Sequence, residues 1–160
     1  MLALPASSKC VKSRVIASDR ERVRCEARLT HPNLLENPVH LARAIPIIRI
    51  FSEEKAREFY IDFLGFTWEW EHRFEENFPL YAQVRRSDLI LHLSEHHGDA
   101  TPGSTIFVPM EGVDALHDEL QRKDYRYGKP GVEVLPWGKV LETIDPFGNR
   151  IRFCESVGRE

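Results

Sequence analysis

The chain has 160 residues, of which 42% are hydrophobic and 29% are charged, and its formal net charge is −3. This composition is typical of a soluble globular protein, and the length is sufficient for one domain with a sizeable core. No run of eighteen apolar residues is present, so we expect no transmembrane helix. The three cysteines have no metal-ligand spacing and the apolar start is too short for a signal peptide, which predicts a cytoplasmic protein.

The N-terminal residues 1–43 form a basic segment. They carry a net charge of +4, so the rest of the chain carries −7. Acidic residues are interspersed with the basic ones and aromatic residues are absent, which argues against nucleic-acid binding. We predict a disordered extension without a function of its own, followed by one domain over residues 44–158.

Residues 44–99 begin with a strand and a helix. Ile45–Ile50 is a short apolar run with β-branched residues and predicts a buried strand. Ser52 is a suitable N-cap for the helix, and Gly65 is a suitable C-terminal stop. One apolar stripe with helical spacing lies between them: Ala56, Phe59, Tyr60, Phe63 and Leu64.

Three strands are predicted after this helix. Phe66, Trp68 and Trp70 alternate with polar residues, which is the period of a strand with one buried face. Leu80–Val84 and Leu89–Leu93 are the next two strands, separated by a polar turn. We expect Trp68 and Trp70 to pack in the core or in a dimer interface rather than to bind a ligand.

Residues 103–158 repeat the same order of elements. Thr105–Val108 predicts a strand, and Val113, Leu116 and Leu120 mark one face of a second helix. A strand over Val132–Leu135 and a final hairpin complete the repeat. The sequence therefore predicts an α+β fold of two tandem β-α-β-β-β modules, at about residues 44–99 and 103–158.

The final hairpin joins Lys139–Ile144 to Arg150–Cys154. Its turn is Asp145-Pro146-Phe147-Gly148-Asn149, in which Asp can bond the backbone ahead, Pro fixes φ, and Gly and Asn tolerate positive φ. Pro136-Trp137-Gly138 comes just before the first of these strands. We expect this corner to hold the Trp137 ring at a strand end.

These motifs resemble those of the glyoxalase, bleomycin resistance and extradiol dioxygenase superfamily, the vicinal oxygen chelate proteins. The resemblance covers about residues 44–156 and rests on Glu58-Phe59-Tyr60 before Leu64-Gly65-Phe66, on Gly112–Leu116, and on Asp145–Asn149. It implies curved mixed sheets, one in each module. It also implies a homodimer, since a symmetric partner can cover the open faces of such sheets.

Metal enzymes of this superfamily take ligands from the first and last strands of each module. In this sequence those four positions fall on Ile45, His92, Thr105 and Arg152. Only His92 is a metal ligand, and a fixed positive charge at Arg152 would repel a divalent ion. We therefore expect no metal, no cofactor and no catalytic residue.

Within the superfamily the chain resembles the bleomycin resistance proteins, at Pro136-Trp137-Gly138 and at Phe74–Phe78. The resemblance implies a metal-independent binding protein that sequesters a planar, cationic glycopeptide antibiotic in grooves shared between subunits, without chemistry. Aromatic rings would stack on the ligand and acidic residues would attract it. The predicted ligand-binding residues are Trp137, Phe78, Phe107, Glu75, His92 and Phe147.

Two other functions stay open. One is a divalent-metal-dependent lyase or dioxygenase built on His92, and the other is a partner module that docks through residues 1–43. His96 and His97 follow His92, but adjacent strand residues point to opposite faces, so we expect both on the surface. We find no nucleophile–base set and no Gly-rich phosphate loop, and we expect neither nucleic acid nor membrane as a partner.

Overall fold

The computed structural model describes residues 39–158. Most of the predicted N-terminal extension, residues 1–43, lies outside the described residues, and residues 39–43 have no regular secondary structure. No helix among the described residues is long and apolar enough to cross a membrane.

The first module contains one helix and four strands. Strand β1 (Ile47–Arg49) leads into helix α1 (Glu53–Ala56), which continues as a π-helical segment over Arg57–Phe63. The Ser52 side chain accepts a hydrogen bond from the Lys55 backbone N–H at 3.3 Å, which confirms the predicted N-cap. The next three strands are β2 (Thr67–His72), β3 (Tyr81–Arg86) and β4 (Leu89–Ser94).

The second module repeats this order. Its elements are β5 (Thr105–Pro109), α2 (Val113–Lys123), β6 (Val132–Leu135), β7 (Gly138–Ile144) and β8 (Arg150–Ser156). All three apolar positions predicted for the second helix are buried, because the i, i+3, i+7 spacing places them on one face of α2. The predicted hairpin of β7 and β8 is confirmed.

Each module forms one four-stranded mixed sheet. Sheet A has the strand order β1-β4-β3-β2, and sheet B has the order β5-β8-β7-β6. The first strand of each module pairs in parallel with the last one, while all other pairs are antiparallel. The predicted α+β fold of two tandem β-α-β-β-β modules is therefore confirmed.

One hydrophobic core receives side chains from both modules. The first module contributes Phe59, Tyr60 and Leu91, and the second contributes Leu120 and Ile151, all 2% exposed or less. Strand residues alternate between two faces, so each sheet also has a face that turns away from this core. We call these the open faces of sheets A and B.

Strand β2 departs from the predicted alternation. Trp68 lies opposite Val84 and Trp70 lies opposite Gln83, because a bulge interrupts the register between the two tryptophans. Trp68 therefore packs against the core, while Trp70 is 41% exposed on the open face of sheet A. The expectation that both tryptophans share one buried face is therefore wrong, while packing of Trp70 in a dimer interface stays a prediction.

Candidate functional site

The open face of sheet B contains a cavity of about 500 Å³. This volume is within the range of small-molecule binding sites. Two aromatic residues, three charged residues, two aliphatic residues and a glycine line the cavity: Phe107, Gly131, Glu133, Leu135, Trp137, Val140, Glu142 and Arg152.

Trp137 belongs to a two-residue turn between β6 and β7. Leu135 pairs with Gly138 across this turn, so that Pro136 and Trp137 form its tip. The backbone of Gly138 lies so close to that of Glu155 that any side chain at position 138 would collide with it. The predicted Pro-Trp-Gly corner is confirmed, and it leaves the Trp137 side chain 59% exposed beside the cavity.

Phe107 lies in a row of side chains that crosses sheet B. The strand register places Phe107 opposite Arg152 and Arg152 opposite Glu142. Arg152 Nε donates to Glu142 Oε2 at 2.6 Å, and this ion pair holds both charged side chains along the sheet. The Phe107 ring is 55% exposed and is available to a ligand.

The cavity has an excess of negative charge. Glu133, Glu142 and Arg152 line it, which gives a formal charge of −1. Arg152 is paired with Glu142, whereas Glu133 has no ion pair among the described residues. A cationic group would therefore find its best electrostatic partner at Glu133.

The four metal-ligand positions of the superfamily do not fit a divalent ion in this chain. Ile45 and Thr105 offer no carboxylate, thiolate or imidazole, and the Arg152 guanidinium is bound to Glu142. Among residues 39–158, no group of three or more His, Cys, Asp and Glu side chains is arranged to hold a metal ion.

His92 lies on the open face of sheet A in a chain of hydrogen bonds. The Tyr81 hydroxyl donates to His92 Nδ1 at 2.8 Å, and His92 Nε2 donates to Gln83 Oε1 at 2.9 Å. The Gln83 amide in turn donates to the Glu69 carboxylate. Burial lowers the pKa of His92, which favours the neutral ring that this chain requires. Both ring nitrogens are engaged, so neither is free to bind a metal.

The other predicted ligand residues do not line the sheet B cavity. Phe78, which is 44% exposed, and Glu75 lie in the loop between β2 and β3, where the Phe78 N–H donates to the Glu75 carbonyl at 2.9 Å. Phe147 lies in the turn between β7 and β8, half-buried against the core, with its ring centroid 6.0 Å from that of Phe51. The structure brings together only Trp137 and Phe107 of the six predicted residues, and roles for the other four stay predictions.

Glu133 and Glu142 line the cavity but were not predicted from the sequence, whereas Arg152 was identified there as a metal-ligand position of the superfamily. The turn between β7 and β8 places Ile144 opposite Arg150, and counting two residues outward on each strand places Glu142 opposite Arg152. This register could have been derived from the predicted hairpin. The same counting from the two-residue turn at Pro136 and Trp137 places Glu133 opposite Val140.

A family model described as glyoxalase superfamily protein matches residues 33–160. The chain belongs to the glyoxalase superfamily. This membership confirms the resemblance that the sequence motifs indicated. A comparison with curated proteins found no match.

Solved structures similar to this glyoxalase superfamily member include bleomycin-binding proteins. The bleomycin-binding protein of Streptomyces verticillus, in complex with copper(II)-bleomycin, is 28% identical with a TM-score of 0.58, over 75% of this chain and 100% of that chain.

Two similar structures come from Streptomyces sp. CB03234. A glyoxalase/bleomycin resistance protein is 24% identical with a TM-score of 0.57, over 71% of this chain and 100% of that one. The antibiotic binding protein TnmS3 is 23% identical with a TM-score of 0.56, over 74% of this chain and 100% of that one. At these identities the similarity shows the fold alone.

Proposed function

We propose that this protein sequesters a planar, cationic antibiotic of the bleomycin type, without metal and without chemistry. The observation that carries the proposal is the sheet B cavity, where Phe107 and Trp137 expose their rings beside an unpaired Glu133. A similar solved structure, from Streptomyces verticillus, holds copper(II)-bleomycin, which supports this class of ligand. Acting in the cytoplasm, the protein would keep the drug from its target.

The energetics require more contacts than one cavity offers. A flat heteroaromatic ligand stacks on each exposed ring for about 0.5–1.5 kcal/mol beyond the area it buries. Micromolar affinity needs about −8 kcal/mol, so Phe107 and Trp137 cannot supply it alone. We propose that a homodimer completes the groove by adding residues from the other copy, with Phe78, Glu75 and His92 as candidates. Phe147 stays a candidate ligand-binding residue on the family resemblance alone.

Calorimetric titration of metal-free bleomycin into the full-length protein tests the proposal. We expect submicromolar binding of about one ligand per chain, and at least about tenfold weaker binding by Trp137→Ala, because a stacking surface is lost. The matched control is Tyr127→Ala, which removes a side chain of similar exposure, 64%, outside the cavity. Equal affinities of the two variants, or no binding by the wild type, would refute the proposal.

The alternative is a divalent-metal lyase or dioxygenase built on His92. Metal content is measured by mass spectrometry on protein purified without chelators. We expect less than stoichiometric metal, because both His92 ring nitrogens are already hydrogen bonded. One bound divalent ion per chain that is lost in His92→Ala would replace the binding proposal with the enzymatic one.

A further inference from the structure

A second cavity, of about 410 Å³, lies on sheet A. Five aromatic rings and one carboxylate line it, and we call this group the aromatic cage: Trp70, His72, Phe74, Tyr81, His96 and Asp99. The aromatic cage shares no residue with the sheet B cavity or with the six ligand residues considered above.

The rings of the aromatic cage meet at mixed angles. Trp70 and Tyr81 are stacked, with centroids 6.1 Å apart. Phe74 meets His72 edge-on at 4.9 Å and His96 edge-on at 6.0 Å. Phe74 is 73% exposed and Trp70 is 41% exposed, so part of each ring is open to solvent. An occupant would therefore meet aromatic surfaces from more than one direction.

The charge at the aromatic cage is negative. Asp99 is its only acidic residue, and Asp99 Oδ2 accepts a hydrogen bond from the Ser94 hydroxyl at 2.6 Å. Burial, and after it the negative charge of Asp99, raise the pKa of Tyr81. No lysine or arginine is among the six lining residues.

The basic residue nearest in sequence to the aromatic cage is paired with carboxylates outside it. Arg73 lies between His72 and Phe74, but its guanidinium donates to Glu53 at 2.7 Å and to Glu95 at 3.3 Å. Neither carboxylate lines the aromatic cage. The ring faces and Asp99 are thus left without a cationic partner among the lining residues.

We propose that the aromatic cage binds a small organic cation with a methylated ammonium centre. Ring faces carry the negative part of the aromatic quadrupole, so they attract a cation placed within about 6 Å of the ring centroid. Methyl groups on the ammonium contact the apolar rings, while Asp99 supplies a full negative charge. An anion would be repelled by both features. The aromatic cage adjoins His92, a candidate for the antibiotic groove, whose ring contacts Trp70 and Tyr81, but the binding of a small cation is measured without antibiotic.

Choline is a suitable probe, and its neutral analogue 3,3-dimethylbutan-1-ol has the same shape without the charge. Each is titrated at pH 8 into ¹⁵N-labelled full-length protein, and the three tryptophan indole N–H resonances are followed. Trp70→Phe identifies the Trp70 resonance. We expect that resonance to shift saturably with choline. The affinity for the alcohol should be at least about fivefold lower than the affinity for choline.

Two variants and one control test the assignment. Phe74→Leu and Asp99→Asn are each expected to weaken choline binding about threefold or more, since one removes a ring and the other the charge. Phe74 is largely exposed, so its replacement should leave the fold intact. The control is Phe107→Leu, which removes an exposed ring from sheet B and should leave choline binding unchanged while weakening that of bleomycin.

Three outcomes would overturn the proposal. Equal affinities for choline and the alcohol would mean that the charge is not recognised. Shifts confined to Trp137 would place the cation on sheet B. A change in oligomeric state in Phe74→Leu, with choline binding unchanged, would assign the rings to an interface between copies. Failure of bleomycin binding with choline binding intact would refute only the proposed function.

Discussion

Asp145 is densely hydrogen bonded in the turn between β7 and β8. Its carboxylate accepts from the backbone N–H groups of Phe147 at 2.9 Å and Asn149 at 2.7 Å, as the turn motif predicted. It also accepts from the Asn149 side chain at 2.8 Å and from the Tyr60 hydroxyl at 2.8 Å. Since Tyr60 belongs to the first module, this buried carboxylate links the two modules.

Tyr60→Phe is expected to lower the free energy of unfolding by about 1 to 3 kcal/mol, because a buried carboxylate loses one donor. Denaturant unfolding measures the change. The matched control is Tyr125→Phe, since the buried Tyr125 hydroxyl has no hydrogen-bond partner among the described residues. We expect the control to stay within about 0.5 kcal/mol of the wild type. Equal losses in both variants would contradict a role for the Tyr60–Asp145 bond.

The titration of Asp145 gives a prediction about pH. Burial raises its pKa above the ordinary value of 3.8, although the hydrogen-bond donors lower it. The stability that such a carboxyl group contributes is fully present below its unfolded-state pKa and is lost as the pH rises through its folded-state pKa. The stability of the wild type relative to Asp145→Asn should therefore fall as the pH rises above the ordinary pKa of 3.8. A rise in this stability difference with increasing pH would mean that the hydrogen-bond donors lower the pKa of Asp145 by more than burial raises it.

The turn between β6 and β7 is the element that places Trp137 at the cavity, and it depends on Gly138. A Cβ atom at position 138 would overlap the Glu155 carbonyl and lie 3.1 Å from Ser156 Cα, both on the backbone of β8. Backbone atoms cannot move aside as a flexible side chain can. A substitution there must therefore displace β7 from β8 or reshape the turn.

Gly138→Ala is expected to lower the free energy of unfolding by about 1 to 3 kcal/mol, through overpacking. Thermal and denaturant unfolding measure this loss, and Trp137 fluorescence reports the displaced turn. The control is Gly131→Ala at another cavity residue, where an added Cβ meets nothing within 4 Å. Wild-type stability in Gly138→Ala would show that the strands separate at little cost.

The hydrophobic pattern of strand β2 predicts the strand but not its bulge. Its alternation predicted a strand correctly, but a bulge between Trp68 and Trp70 moved one ring to the core and the other to the open face. The sequence contains no marker for this bulge. It is set by the pairing with β3, where Glu69 bonds both Gln83 and Arg85.

Both open faces carry exposed apolar residues. Ile47 on sheet A and Ile144 on sheet B are 39% and 51% exposed, in addition to the aromatic residues described above. A symmetric partner could cover such faces, as the family resemblance implied. An isologous contact that brings sheet A of one copy to sheet B of the other would form the proposed shared groove.

We expect a homodimer, with twice the chain mass of 18.6 kDa, in light scattering coupled to size-exclusion chromatography. Ile47→Asp should shift the population towards monomer, because a charge placed in an apolar interface is costly to bury. Val134→Asp is the control, since Val134 is 74% exposed on edge strand β6. A monomeric wild type, or equal effects of the two variants, would refute the dimer.

The order of the elements and most of their bounds follow from the amino-acid sequence alone. The Ser52 cap, the stripe from Ala56 to Leu64 and the Asp145–Asn149 turn are local features, so short segments are enough to specify them. The two-module architecture followed because the same local order occurs twice. The family resemblance rested on these segments and their spacing.

Which side chains meet depends on the tertiary structure. The parallel pairing of β5 with β8 set Phe107 beside Arg152, and the packing of the modules brought Tyr60 to Asp145. These partners are separated by 45 and 85 residues. No periodicity within a segment encodes such pairs, because strand register and module packing arise from the fit of the whole core.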